Sequence, residues 1–405
     1  MIRNMKRKLV ITKIAEQVVT AVLENEEVVE IHVSDKDTEA YRVGNIYVGK
    51  VKNIVPNIQA AFIEIANGVE CYYSIPQNPS PHFTQKVGKK PLCIGDELLV
   101  QIQKEAVKTK VPTVTSDLSF TGKFVVLTSG IKKIGISSKI TGEKRAQIQE
   151  TVEVLRSERY GFIVRTNAKD IPADLVKEEL GQLAESYMHL VEIAQSRKVF
   201  SCLLEAPFTY LSNIRDIYQE GLTDIVVEES LFEDVKQYLA KEQPEDLEKL
   251  VCYADRQLPL YKLYSLESVI SRALSERVWM KSGAYLVIQP TEALTVIDVN
   301  TGKCIAGKKD DEVYMKINLE AAKEAAKQIR LRNLSGIILI DFINLKSKEC
   351  TKDLLEVFQK ELRKDPVQTI LVDMTGLQLV EVTRKKVRKP LREVVVSAKE
   401  ANRRK

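Results

Sequence analysis

The sequence predicts a multidomain protein of mixed α+β and α/β class, with a small β-barrel ahead of a helix-covered sheet. Three observations carry that expectation. The chain's 405 residues exceed one ordinary hydrophobic core and suit two to four domains. Between Tyr41 and Ser116, short β-branched runs alternate with turn-rich spacers such as "PQNPSPHFTQKVGKKP". Beyond Ala284, strand-like and helix-like periods follow one another. With 44% apolar and 29% charged residues, the chain can fill sizeable cores and still carry a densely charged surface. That composition belongs to a soluble globular protein, not to a disordered one.

The elements follow in order. Residues 1–38 read as a hairpin, because "KLVITKIA" and "QVVTAVLENEEVVEIHV" place β-branched runs around the turn signal "ENEE". The next unit supplies "NIYVGKVKNIV", "IQAAFIEIA", "VECYYSI" and "ELLVQIQKEA", for which a five-stranded barrel is the natural closure. Barrels of this size often bind single-stranded nucleic acid through aromatics and a basic groove. From Gly122 to Phe200, strands ("KFVVLTS", "RYGFIVRTNA") mix with two long helical patterns, and "DIVVEESLFEDVKQYLA" then runs from strand into helix. Finally, "AYLVIQPTEALTVIDVN", the amphipathic "EVYMKINLEAAKEAAKQIRLRNL", "SGIILIDFINL", "CTKDLLEVFQKELRKD" and "VQTILVDMT" predict a parallel or mixed sheet covered by helices.

Charge and cysteine usage narrow the class. The basic start "MIRNMKRKLVITKIAEQ" is broken by Lys13, Glu16 and Gln17, so no signal peptide is expected, and no apolar stretch is long enough to span a membrane. Cys71, Cys93, Cys202, Cys252, Cys304 and Cys350 form no CxxC pair, which fits a reducing cytoplasm better than a disulfide framework. Thr383 to Lys405 holds ten Lys or Arg against two Glu, while the whole chain is only +5, so the tail is the polyanion-seeking part.

One pattern needs a chemical reason. In "LTVIDVNTGK", Asp298 and Asn300 fall on the same face of a strand, and "GIILIDFINL" brings a second carboxylate, Asp341, to the end of the next strand. One helix joins the two runs, which makes them parallel near neighbours with both carboxylates at the C-terminal edge, where ligands of open α/β sheets collect. Two such carboxylates do not both stay ionised without a cation between them. Oxygen ligands with an amide beside them suit Mg²⁺ or Mn²⁺, and a cation so held suits phosphodiester chemistry. The competing reading is that each Asp is a cap or turn residue, as for Asp373, which ends an equally apolar run.

The stretches "GNIYVGKVKNIVPNIQAAFIEI", "GFIVRTNA", "TEALTVIDVNTGK", "NLEAAKEAAKQIRLRNLSGIILIDFI" and "GLQLVEVTRKKVRKPL" together resemble the bacterial ribonuclease E/ribonuclease G family, in order from Met1 to Leu391. The resemblance implies a Mg²⁺-dependent endoribonuclease that cuts single-stranded, A/U-rich RNA in ribosomal RNA processing or messenger decay. It implies stimulation by a 5′-monophosphate, and products ending in a 5′-phosphate and a 3′-hydroxyl. It also implies an RNase H-like unit from residues 1–38 and 202–276, an inserted S1 domain at 39–116, a 5′-sensor at 117–201, a DNase I-like catalytic unit at 277–386 and a basic tail at 387–405.

By the same resemblance, Asp298 and Asp341 are the metal ligands and Asn300 positions the scissile phosphate. Phe62 and Tyr72 are the RNA-stacking aromatics, with Lys110 a basic contact. Because "ECYYSI" departs from the family's Gly-Phe-Leu, Tyr73 is an alternative stacker, and Phe62 has barrel core as its competing reading. Arg165 and Thr166 match the pair that grips a 5′-monophosphate, with Gly122 and Val126 closing that pocket. The family's Cys-Pro-x-Cys zinc link has no counterpart here, since no cysteine follows Cys350. No structural zinc is therefore expected, and the assembly is expected to be a monomer or weak homodimer. A catalytically silent RNA-binding scaffold and a DNA-directed nuclease are the rival readings. The intact Asp298, Asn300 and Asp341 argue against the first, and the barrel and sensor patterns against the second.

Overall fold

The computed structural model describes residues 6–35, 41–106, 110–217, 221–302 and 311–396. The chain divides into two compact units, Asp37–Gln219 and the pair Met1–Lys36 with Glu220–Lys405.

Within Asp37–Gln219, strands Ile46–Val55, Ala60–Ala66, Val69–Ser74, Thr113–Thr115 and Glu97–Lys104 hydrogen-bond in that order, and the last pairs back onto the first. This closes a five-stranded barrel, which leaves no open edge in the ring. Period-two alternation sends Val51, Ile63, Ile65, Cys71, Tyr73, Val100 and Val114 inward as its core. Gly49 is required beside them, because a Cβ there would lie 2.5 Å from the Ile63 side chain. A four-stranded sheet follows, in the order Ser119–Thr121, Val125–Thr128, Gly161–Val164, Ile134–Ile136. Helices Gly142–Glu153 and Ala173–Ala194 cover it, burying Ile148, Val152, Val176, Leu180 and Tyr187 against Leu127 and Phe162.

In the other unit, strands Leu250–Tyr253, Leu222–Glu228, Arg7–Ile14, Gln17–Glu24 and Glu27–Asp35 form one sheet in that order. The N-terminal segment is thus a three-stranded meander and not the expected single hairpin. A second turn, at Ala15 and Glu16, is made with Ala15 in the left-handed region at φ 53°. Neither residue carries a turn signal, which is why the sequence hid it.

A six-stranded mixed sheet completes this unit: Arg277–Trp279, Tyr285–Pro290, Leu294–Asn300, Gly336–Asp341, Leu379–Arg384, Thr369–Met374. Only Leu294–Asn300 and Gly336–Asp341 are parallel neighbours. Strand Leu379–Arg384, not anticipated as a strand, inserts antiparallel between Gly336–Asp341 and Thr369–Met374. Helices Asp311–Leu331 and Lys348–Leu362 pack one face through Ile317, Ala321, Ala325, Ile329, Leu354 and Phe358 onto Leu286, Ile297, Val299, Ile338 and Ile340. A buried polar chain ties the two sheets. Arg7 and Arg330 share Glu24 at 2.9 and 3.0 Å, Arg330 also meets Glu30 at 3.0 Å, and Glu30 lies 3.6 Å from His32. The basic segment is partly structural: Arg384 is buried against Asp365 at 2.7 Å, and Arg388 reaches His32 at 3.2 Å. Residues 391–396 are helical, and the rest of the tail, 397–405, lies outside the described residues, as does Cys304.

Candidate active site

The parallel pair fixes the central geometry. Asp298 and Asp341 are direct register partners across Leu294–Asn300 and Gly336–Asp341, each at or near the C-terminal end of its strand. Strand neighbours sit about 4.8 Å apart, so the two carboxylates look out side by side from one face. Asn300, two residues on, shares that face and donates its Nδ2 to Asp298 Oδ2 at 2.5 Å. Alternate residues Ile297 and Val299 go the other way, into the core under the helices, and this anchors the strand's phase.

The loop after Asp341 is held from the helix side. Asn318, fully buried on Asp311–Leu331, donates to the Ile343 carbonyl at 2.7 Å and accepts the Ile343 N–H at 3.0 Å. Both backbone groups of one residue are thereby clamped, which keeps the Asp341 strand end from fraying. Beside it lies an open cleft of about 340 Å³ lined by Phe342–Lys346, Lys348, Met374 and Gln378.

Electrostatically the pair calls for a cation. Burial and then the facing Asp298 charge raise the Asp341 carboxyl above its ordinary range. Among the described residues no group of three or more His, Cys, Asp or Glu stands together as a metal site. Two carboxylates and an amide nevertheless fit a hard divalent ion that keeps most of its shell as water. They do not fit a closed sulfur or imidazole site.

The second candidate site is in Asp37–Gln219. Arg165 closes the end of strand Gly161–Val164, where its N–H donates to the Phe124 carbonyl at 2.7 Å. Its guanidinium donates to the Gly122 carbonyl at 2.7 Å and to Asp216 Oδ1 at 2.8 Å. Thr166 Oγ1 pairs with Ser137 Oγ at 2.9 Å. Val126 lies on the adjoining strand, in register with Ile163. The structure therefore joins Gly122 to Arg165 directly, with Thr166 next in chain and Val126 nearby on the sheet.

Two carboxylates here went unread in the sequence. Asp216 comes from helix Thr209–Asp216, 51 residues from Arg165. Glu179, on Ala173–Ala194, accepts the three consecutive N–H groups of Lys123, Phe124 and Val125 at 2.7, 2.8 and 2.7 Å. Burial raises its carboxyl above the ordinary range, although those donors and the Arg165 charge pull the other way. Gly122 leaves room for it, since a Cβ would fall 2.5 Å from the Glu179 carboxyl carbon and push the carboxylate off its donors.

On the barrel, Phe62 and Tyr72 are register partners on the outer face, with ring centroids 6.4 Å apart in a T-shaped pair. Tyr73 points inward, is 1% exposed and bonds Ser116 Oγ at 3.0 Å. Burial pushes its hydroxyl up to about 12. Tyr73 is thus core and no alternative to Tyr72 at the surface. Alternation also takes Phe62 out of the core, which Ala61 and Ile63 fill. Lys110 is exposed and precedes Pro112, whose carbonyl accepts the Tyr72 N–H at 2.8 Å.

Comparison with known proteins bears on both units. A profile of the Ribonuclease E/G family matches residues 119–387. Ribonuclease G of Haemophilus influenzae is 32% identical over 378 residues, 90% of this chain and 77% of its own. Ribonuclease G of Escherichia coli K12 is 31% identical over 379 residues, again 90% of this chain and 77% of its own. Ribonuclease E of Nostoc sp. is 32% identical over 384 residues, 92% of this chain and 55% of its own.

Proposed function

The chain belongs to the ribonuclease E/G family and is an endoribonuclease, and from that premise we propose that it cuts single-stranded, A/U-rich RNA at Asp298, Asn300 and Asp341 with Mg²⁺ as cofactor, Mn²⁺ substituting. The observation that carries this reading is the side-by-side register of two carboxylates with Asn300 on the same open face. When bound, the cation neutralises a phosphodiester oxygen and lowers the pKa of a water, giving 5′-phosphate and 3′-hydroxyl products. Asp298 and Asp341 hold it. Asn300, whose amide now leans on Asp298, has a second N–H to offer a phosphate oxygen and so orients the scissile group.

Binding is assigned to the barrel and the sensor. Phe62 and Tyr72 offer two rings on one outer face, and Lys110, two residues before the Pro112 carbonyl that bonds Tyr72, is assigned the backbone charge, which is how single-strand binders hold bases and backbone. Arg165 and Thr166 take a terminal 5′-monophosphate, with Gly122 and Val126 as the pocket's backbone. A guanidinium already oriented by the Gly122 carbonyl is preorganised for that task. The same proposal assigns the sheet around Arg7–Ile14 to an RNase H-like unit, the barrel to an S1 domain and the six-stranded sheet to a DNase I-like catalytic unit. Among the described residues no helix is long and apolar enough to cross a membrane, and the proposed setting is the cytoplasm.

Incubation of purified protein with a 5′-monophosphorylated, A/U-rich oligoribonucleotide, with and without Mg²⁺, tests the proposal. Mg²⁺-dependent internal cleavage with 3′-hydroxyl ends, faster than on the 5′-hydroxyl oligomer, is expected. Cleavage insensitive to chelation would refute the metal assignment.

A further inference from the structure

The chain's only tryptophan is Trp279, and it is 61% exposed. An indole left in water forgoes one of the larger apolar contributions a side chain can make, so its position calls for an occupant. Its place in the sheet identifies one. Trp279 is the register partner of Tyr285, and Tyr285 is the register partner of Asn300. One step along, Arg277 pairs with Val287, Val287 with Asp298, and Asp298 with Asp341. Two rows of side chains therefore cross the same face. One runs Trp279, Tyr285, Asn300, and the other runs Arg277, Val287, Asp298, Asp341.

The local contacts make the aromatic end a stacking platform. Trp279 and Tyr285 rings have centroids 4.8 Å apart, and the Arg277 guanidinium stands 5.3 Å from the Tyr285 centroid. The turn below is tight: Gly302 sits at φ 56°, and a Cβ there would meet the Gly283 carbonyl at 2.3 Å and Tyr285 Cδ1 at 3.4 Å. Tyr285 thus lies against the close approach of Gly302 to Gly283, while among the described residues the indole stays largely exposed. Exposed aromatics flanked by a guanidinium are the usual equipment for holding an unpaired base beside its phosphate. Two strand spacings of about 4.8 Å each separate Trp279 from Asn300.

We infer that Trp279, supported by Tyr285 and Arg277, stacks on a nucleobase of the RNA substrate within one or two nucleotides of the scissile phosphate. This rests on the assignment of Asp298, Asn300 and Asp341 as the cleavage centre. Such a contact holds the strand in line at the reacting bond and makes that nucleotide's base count in site choice. An abasic or weakly stacking position there is cut poorly.

The single tryptophan makes the test direct. Titrating the full chain in EDTA with a 5′-hydroxyl A/U-rich oligoribonucleotide should quench its fluorescence saturably, and equally in Asp298→Asn. In Mg²⁺, a series of oligomers with one abasic site stepped through the cleavage region should show one position costing the wild type about tenfold in kcat/KM. Trp279→Ala should lose about as much on the intact oligomer, mainly in KM, and be indifferent to that abasic site. Trp279→Phe should recover most of the loss. Unchanged melting of the variants rules out unfolding as the cause, because the side chain is exposed. Absence of quenching, or equal abasic profiles in wild type and Trp279→Ala, overturns the inference. So does a fluorescence change driven by protein concentration alone, which would make a second copy the occupant. Quenching without cleavage of any RNA would leave the platform standing and remove the cleavage assignment instead.

Discussion

The carboxylate pair on the six-stranded sheet and the Arg165 pocket are opposites in how their charges are satisfied. Asp298 and Asp341 stand side by side as register partners, with the Asn300 amide donating to Asp298, so their mutual repulsion waits for a cation from outside. Arg165 is already met by the chain's own groups, Asp216 and the Gly122 carbonyl, and Glu179 fills the neighbouring run of three N–H donors. One site is built with a charge missing, the other with its charges balanced. On the proposed assignments a cation would complete the first, whereas a 5′-phosphate at the second would have to compete with an internal carboxylate. Loss of a ligand side chain should accordingly stop the chemistry at the first site. At the second, loss of a partner should shift preference and stability by smaller amounts.

The largest expected effect is at the carboxylates. Asp298→Asn or Asp341→Asn should slow cleavage a thousandfold or more, on the order of 4 kcal/mol of transition-state stabilisation, while RNA affinity measured in EDTA stays within a few fold. A parallel fall in affinity would mean that these residues serve binding or folding. Next, Glu179→Ala strands three backbone N–H groups and should cost about 3 kcal/mol of stability, read by denaturant unfolding. A neutral result would show that water replaces the carboxylate. Arg165→Ala should come third: the advantage of a 5′-monophosphate over a 5′-hydroxyl, roughly tenfold or more for a charge-assisted contact, disappears while 5′-hydroxyl substrates are cut nearly as before. Equal slowing on both substrates would make Arg165 structural.

The mildest effect is a pH dependence outside both sites. Burial alone would raise the Glu30 carboxyl, but the His32 hydrogen bond together with the Arg330 and His32 charges outweighs it and holds the group down to about 2. The stabilisation is therefore complete above the ordinary carboxylate value of about 4.5 and is lost as pH falls toward about 2. Glu30→Gln should flatten that limb of the stability curve, and an unchanged limb would assign it to other carboxylates.

The two sites also differ in how far a sequence reader could see them. Asp298, Asn300 and Asp341 were legible because strand alternation and a single intervening helix determine which face and which edge they occupy. The barrel was legible for the same reason, down to four of its five strands. The phase of "CYYS" was not, since two adjacent tyrosines offer both choices and only the inward packing of Cys71 and Tyr73 decides between them. Asp216 and Glu179 were invisible. Each sits on a helix, where a carboxylate reads as solvated surface, and each finds its partners some 50 residues away. Strand Leu379–Arg384 was missed because its insertion between two strands is a fact of topology, not of period.

The central claim is that Asp298 and Asp341 together hold one divalent ion. Counting bound Mn²⁺ by paramagnetic resonance of the full chain tests it without reference to activity. About one ion per chain is expected, displaced by excess Mg²⁺, with affinity reduced at least tenfold in both Asp298→Asn and Asp341→Asn. Undiminished Mn²⁺ binding in either variant would contradict it.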